Sequence, residues 1–155
     1  MRKFIIILCL LILAGCKSKK TTATPVKVLK VERISMDKLN ETQKKRAYEL
    51  GKRVLMTCNT SRFKPFTTDE ATAEVIKNTT EERLTKTCHN FRLKYGEFKE
   101  IRLVEVLRNK RDKTNIYRYR ADYAKKIANK ELRVIMNERN QVTAIKSLDW
   151  KDKFQ

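Results

Sequence analysis

At Gly96 the spacing of apolar residues switches from helical to alternating, and that switch constrains the fold more than any other feature. Ahead of it, Leu84, Cys88, Phe91 and Tyr95 fall at offsets 0, 4, 7 and 11, a single stripe on a helix. Beyond it, Tyr117, Tyr119, Ala121 and Tyr123 alternate with Arg118, Arg120 and Asp122, the period of a strand. A glycine suits the junction because it stops a helix in a backbone conformation other residues resist.

The helical half reads as three segments. Met36, Leu39, Ala47, Leu50, Val54 and Cys58 make one buried stripe, with Ser35 as the expected N-cap and Asn59-Thr-Ser as the breaker. After a loop around Phe63, Pro65 and Phe66, Thr67-Thr-Asp-Glu70 has capping-box spacing and predicts a short helix with Ala71 and Val75 inward. Thr79-Thr-Glu-Glu82 repeats that signature and opens the third helix. The alternating half predicts strands over 98–107, 116–124, 132–136 and 142–150, separated by polar turns at 109–113, 126–129 and 137–140. The expectation is an α+β domain over 35–155, three N-terminal helices packed on a curved four-stranded antiparallel meander. Val26, Val28 and Val31 add either an edge strand or nothing more than linker.

The N-terminus carries a separate message. Arg2 and Lys3 precede the apolar run 4–14, which ends in Leu13-Ala14-Gly15-Cys16. Basic start, short apolar middle and small residues before a cut site form an export signal. Eleven apolar residues fall well short of the roughly 20 that cross a bilayer as a helix. The closing tetrapeptide resembles the lipobox of bacterial lipoproteins. The resemblance implies removal of residues 1–15, acylation of Cys16 and attachment to a membrane through lipid. Residues 16–34 then read as the acylated cysteine and a basic, flexible tether, whose lysines lie where anionic headgroups would be. Lys17 is not acidic, which resembles the default outer-membrane case facing the periplasm.

The formal charge of the chain is +19, and loss of the leader removes only Arg2 and Lys3. In a cytoplasmic protein such charge would point to nucleic acid. Export demotes that partner in favour of an envelope protein or an anionic lipid, and a charge spread over every element also serves solubility. Of four cysteines, Cys9 leaves with the signal and Cys16 is the lipidation site. Cys58 and Cys88 remain, both on inward stripes. In an oxidising compartment they form a disulfide, stabilising by roughly 3–4 kcal/mol through loop closure, or stay as two buried thiols.

Three helices joined through Tyr95-Gly96-Glu97-Phe98 to a long meander resemble a nuclear-transport-factor-2-like domain, a cystatin-like cone. The resemblance implies helices on the concave side of a curved sheet, and it carries no function by itself. Enzymes on that fold place an Asp/His or Asp/Tyr set inside the cone. Glu105, Asp122 and His89 are the bases a hydrolase or isomerase would draw on here. Asp122 shares a face with Arg118 and Arg120 and reads as ion-paired, and Glu105 has no identifiable partner. No glycine-rich phosphate loop, metal motif or nucleophile elbow occurs, so no catalytic residue, cofactor or metal is expected. Tyr117, Tyr119 and Tyr123 line either the core or a binding pocket. Arg118, Arg120 and Arg133 are then an exposed basic face, the feature a polyanion or anionic lipid would use. The sequence reading favours a non-enzymatic, lipid-anchored binding protein.

Overall fold

The computed structural model describes residues 31–155. Cys16, its lipobox, Val26 and Val28 lie outside the described residues. The elements run β1 (Val31–Ile34), a 3-10 turn (Met36–Lys38), α1 (Glu41–Thr60), α2 (Ala73–Asn78), α3 (Glu81–Tyr95), β2 (Phe98–Asn109), β3 (Thr114–Tyr123), β4 (Lys130–Met136) and β5 (Val142–Asp149). The five strands form one antiparallel sheet in the order β1-β2-β3-β4-β5. The sheet therefore has one strand more than the four expected. Val31 belongs to it, since β1 pairs with the far end of β2 through Val31 opposite Asn109.

Helix boundaries depart from the sequence expectation for local reasons. Ser35 leads into the 3-10 turn, and the cap of α1 is Asn40, whose side chain accepts from Gln43 N at 2.9 Å. The 67–70 capping box opens no helix. Thr67 N donates to Glu70 Oε2 at 3.1 Å and Ala71 N to Thr67 O, closing one turn, but sheet pairing at Ala71 stops it there: Val142 N donates to Glu70 O and Thr72 N to Val142 O. Helix α2 begins only after that bridge. Thr80, one residue beyond the expected position, caps α3 through Arg83 N. Gly96 ends α3 as expected, at φ 78°.

All three helices pack on one face of the sheet. Along β3 that face presents Tyr117, Tyr119, Ala121 and Tyr123, each no more than 8 % exposed, with Leu132, Val134 and Met136 beside them on β4. Gly51 lets α1 approach this surface. A Cβ there would stand 2.8 Å from Val134 Cγ2 and 2.9 Å from Leu132 Cδ2, closer than side-chain carbons pack. Cys58 and Cys88 are joined in a disulfide between α1 and α3, with Cα atoms 4.6 Å apart.

Candidate functional site

Strand β3 carries Tyr117, Tyr119 and Tyr123 and two of the three arginines of the expected basic face, and the structure sends them to opposite sides. On the helix side, Tyr117 Oη donates to Gln43 Oε1 at 2.9 Å. Gln43, buried in the first turn of α1, also accepts from Asn115 and donates to Asn137 O and Asn140 Oδ1. One glutamine thus ties α1 to β3 and to the β4–β5 turn, a role that nothing in the hydrophobic pattern announces. Tyr123 packs among the rings of Phe91, Tyr95 and Phe98. Tyr119 and Tyr123 are buried with no hydrogen-bond partner for their hydroxyls among the described residues. Burial pushes the phenols up, those of Tyr117 and Tyr123 to about 12, and that of Tyr119 further. Beside Tyr119 lies a small, mostly apolar space of about 180 Å³, lined by Tyr48, Leu103, Glu41, Lys44 and Lys45.

On the other side of β3 the expected exposed basic face does not exist as such. Arg118 is fully buried. Its Nε and Nη2 donate to Glu131 at 2.9 and 2.6 Å, and Nη1 donates to Glu105. Glu105 also forms an ion pair with Arg33 from β1, and Glu131 takes a third bond, from Arg133. Residues 150–155 then fold across this face. Lys151 O accepts from Arg118 and Gln155 O from Arg133. The Trp150 ring stands 4.8 Å from the Arg118 guanidinium and 5.1 Å from that of Arg120, while Phe154 lies 4.4 Å from Arg133. Arg120 keeps partial exposure and donates to Asn129 Oδ1.

The burial of Arg118 has a direct physical cause. A buried guanidinium needs anionic partners, and the meander supplies them from both neighbouring strands, Glu105 opposite Arg118 on β2 and Glu131 diagonal to it on β4. Glu131 lies one residue before the strand expected over 132–136, and the sequence reading did not single it out. Burial pushes its carboxyl up, and the guanidinium groups of Arg118 and Arg133 outweigh this and hold it below its ordinary 4.5.

The three side chains a cone enzyme would draw on are not brought together. Glu105 sits on the tail-covered side between two arginines. Asp122 is held by Arg102 through bonds of 2.9 and 3.1 Å, not by Arg118 or Arg120. His89 borders a cavity of about 270 Å³ between α1 and α3, together with the disulfide and Arg92. No group of three or more His, Cys, Asp or Glu among the described residues is arranged to hold a metal ion. A general base needs reach to a substrate proton, and none of these carboxylates faces an apolar cavity. No protein-family model, no curated protein and no solved structure matches the chain.

Proposed function

We propose that the chain is a lipid-anchored envelope protein of non-enzymatic type, held by acylated Cys16 and binding a partner or small ligand through a nuclear-transport-factor-2-like α+β domain. The observation that carries the compartment is the Cys58–Cys88 bridge. A disulfide between inward stripes of two helices suits an oxidising envelope and is foreign to a reduced cytoplasm, and the leader 1–16 is the device that would take the chain there. Helices gathered on one face of an antiparallel meander support the fold assignment. Against an enzyme stand the engaged carboxylates: Glu105, Glu131 and Asp122 are each spent on arginine. The space beside Tyr119, where a buried phenol lacks an acceptor and Lys44 and Lys45 join the wall, suits a small ligand with an apolar body and an acceptor group.

Mass analysis of the N-terminal peptide from membranes tests the anchor. The expected peptide starts at an acylated Cys16, and Cys16→Ser moves the protein to the soluble fraction. A mature N-terminus elsewhere, or an unacylated Cys16 in wild-type protein, contradicts the reading.

A further inference from the structure

The sheet has two ends, and they differ in what they show to solvent. The described chain enters at the end where Val31 pairs with Asn109, beside the β2–β3 hairpin. Cations stand at this end too, Lys110, Arg108 and Lys44 paired with Glu32, Glu138 and Glu41, and Arg111, Lys113 and Arg139 exposed without an ion pair among the described residues, so the contrast with the far end lies in its exposed apolar tips. The opposite end, about 36 Å away along β2 at 3.3 Å per residue, is built from the C-terminus of α3 and the β3–β4 loop. The two segments are laced together, with Lys125 N donating to Tyr95 O and Lys125 Nζ to Leu93 O.

This far end displays Ile127 at 75 % exposure and Leu93 at 65 %, the two most exposed large apolar side chains among the described residues. Around them stand Lys94, Lys125 and Lys126, all exposed and none in an ion pair among the described residues. The nearby acids, Glu97 and Asp149, are occupied by Arg92 and Lys130. Aliphatic tips ringed by lysines without acidic partners suit an anionic surface, and a chain anchored by acylated Cys16 has one within reach, the bilayer itself. There the tips enter the headgroup region and the lysines meet phosphates.

We infer that the end formed by Leu93, Lys94, Lys125, Lys126 and Ile127 docks on the anionic membrane in which the protein is anchored. The inference rests on the anchor at Cys16. Residues 17–30 span at most about 48 Å when extended, enough for the domain to lie along or turn onto its own membrane. Docking then orients the domain, whereas the acyl anchor alone leaves it free to tumble.

Photo-cross-linking of the full acylated protein tests this, in dilute vesicles carrying photoactivatable phosphatidylglycerol. Lipid adducts are expected on peptides containing 93–94 and 125–127. They should fall at least about tenfold in phosphatidylcholine vesicles and in a Leu93→Ser/Ile127→Ser variant, and further, about a hundredfold, in a Lys94→Gln/Lys125→Gln/Lys126→Gln variant, since each neutralised lysine accounts for roughly fivefold; both variants should keep the wild-type unfolding temperature. Adducts confined to 110–113, or unchanged in both variants, overturn the docking site. Adducts absent from 31–155 while the same sample shows acylated Cys16 overturn docking and leave the anchor standing. An unacylated Cys16 is the separate failure of the anchor.

Discussion

The two faces of the sheet bury side chains by opposite chemistry. The helix side is sealed by apolar packing: Tyr117, Tyr119, Leu132, Val134 and Met136 lie under α1, and Gly51 brings the helix close. The other side buries charge. Arg118, Glu105 and Glu131 are 5 % exposed or less and are roofed by residues 150–155 through two backbone carbonyls and two aromatic rings. An antiparallel sheet commonly leaves one face wet. This one covers the part of its second face around Arg118 with its own tail, at the cost of taking a guanidinium and two carboxylates out of water, and leaves Arg102 and Asp122 open to solvent.

That difference predicts unequal responses to mutation. The largest belongs to the charged face. Arg118→Ala leaves Glu105 and Glu131 buried without their main partner and should cost about 3–5 kcal/mol in denaturant unfolding. Replacing the trio together, Arg118→Met with Glu105→Leu and Glu131→Leu, should recover most of that loss, because well-packed apolar groups often match a buried ion network. A triple variant as unstable as the single one would mean the network contributes more than its own desolvation cost.

On the helix side the corresponding covalent element is the disulfide. Cys58→Ala/Cys88→Ala should lower stability by roughly 3–4 kcal/mol, as expected for a bridge with a sequence separation of 30. A free-thiol assay on the exported wild type should find both cysteines unreactive until reduction.

Acid should act through the carboxylates paired with arginine. The Arg53 guanidinium beside Glu70, bonded at 2.7 and 2.8 Å, holds that carboxyl at about 2 against an ordinary 4.5. Folding lowers this pKa, so the stabilisation is complete above pH 4.5 and lost as pH falls toward 2, on the order of 2–3 kcal/mol. Glu131, also lowered, adds loss in the same direction. Glu70→Gln should flatten the stability profile across that window; an unchanged slope would place the acid sensitivity elsewhere.

The smallest effects separate the tyrosines. Tyr119→Phe removes a hydroxyl without a partner among the described residues and should be neutral or stabilising by up to about 1 kcal/mol. Tyr117→Phe breaks the bond to Gln43 and should cost about 1 kcal/mol. Equal effects from both would show that Tyr119 Oη has an acceptor.

The alternation after Gly96 was enough to place four strands and to put the tyrosines on one face, because a period of two shows directly which residues share a face; that this face is the core was left open against a binding pocket. The inward stripes also placed Cys58 and Cys88 within reach of each other. What periodicity conceals is what covers the second face. Arg118, Arg120 and Arg133 look solvated in any strand pattern. Arg118 becomes buried only when Glu105 and Glu131 arrive from neighbouring strands and Trp150 and Phe154 fold back, which are long-range facts. Gln43 and Gly51 escaped notice for a similar reason, since each matters through one contact distant in sequence. The capping box at 67–70 was misleading because pairing with Val142 outweighed a local helix signal.

Hydrogen exchange of the Arg118 Nε–H, followed by NMR on nitrogen-labelled protein, addresses the buried charge around Arg118 most directly. Bonded to Glu131 and fully buried, that proton should exchange orders of magnitude more slowly than the Nε–H of exposed Arg111, and deletion of residues 150–155 should accelerate it. Exchange as fast as that of Arg111 in the intact protein would contradict the account, returning Arg118 to an open basic surface.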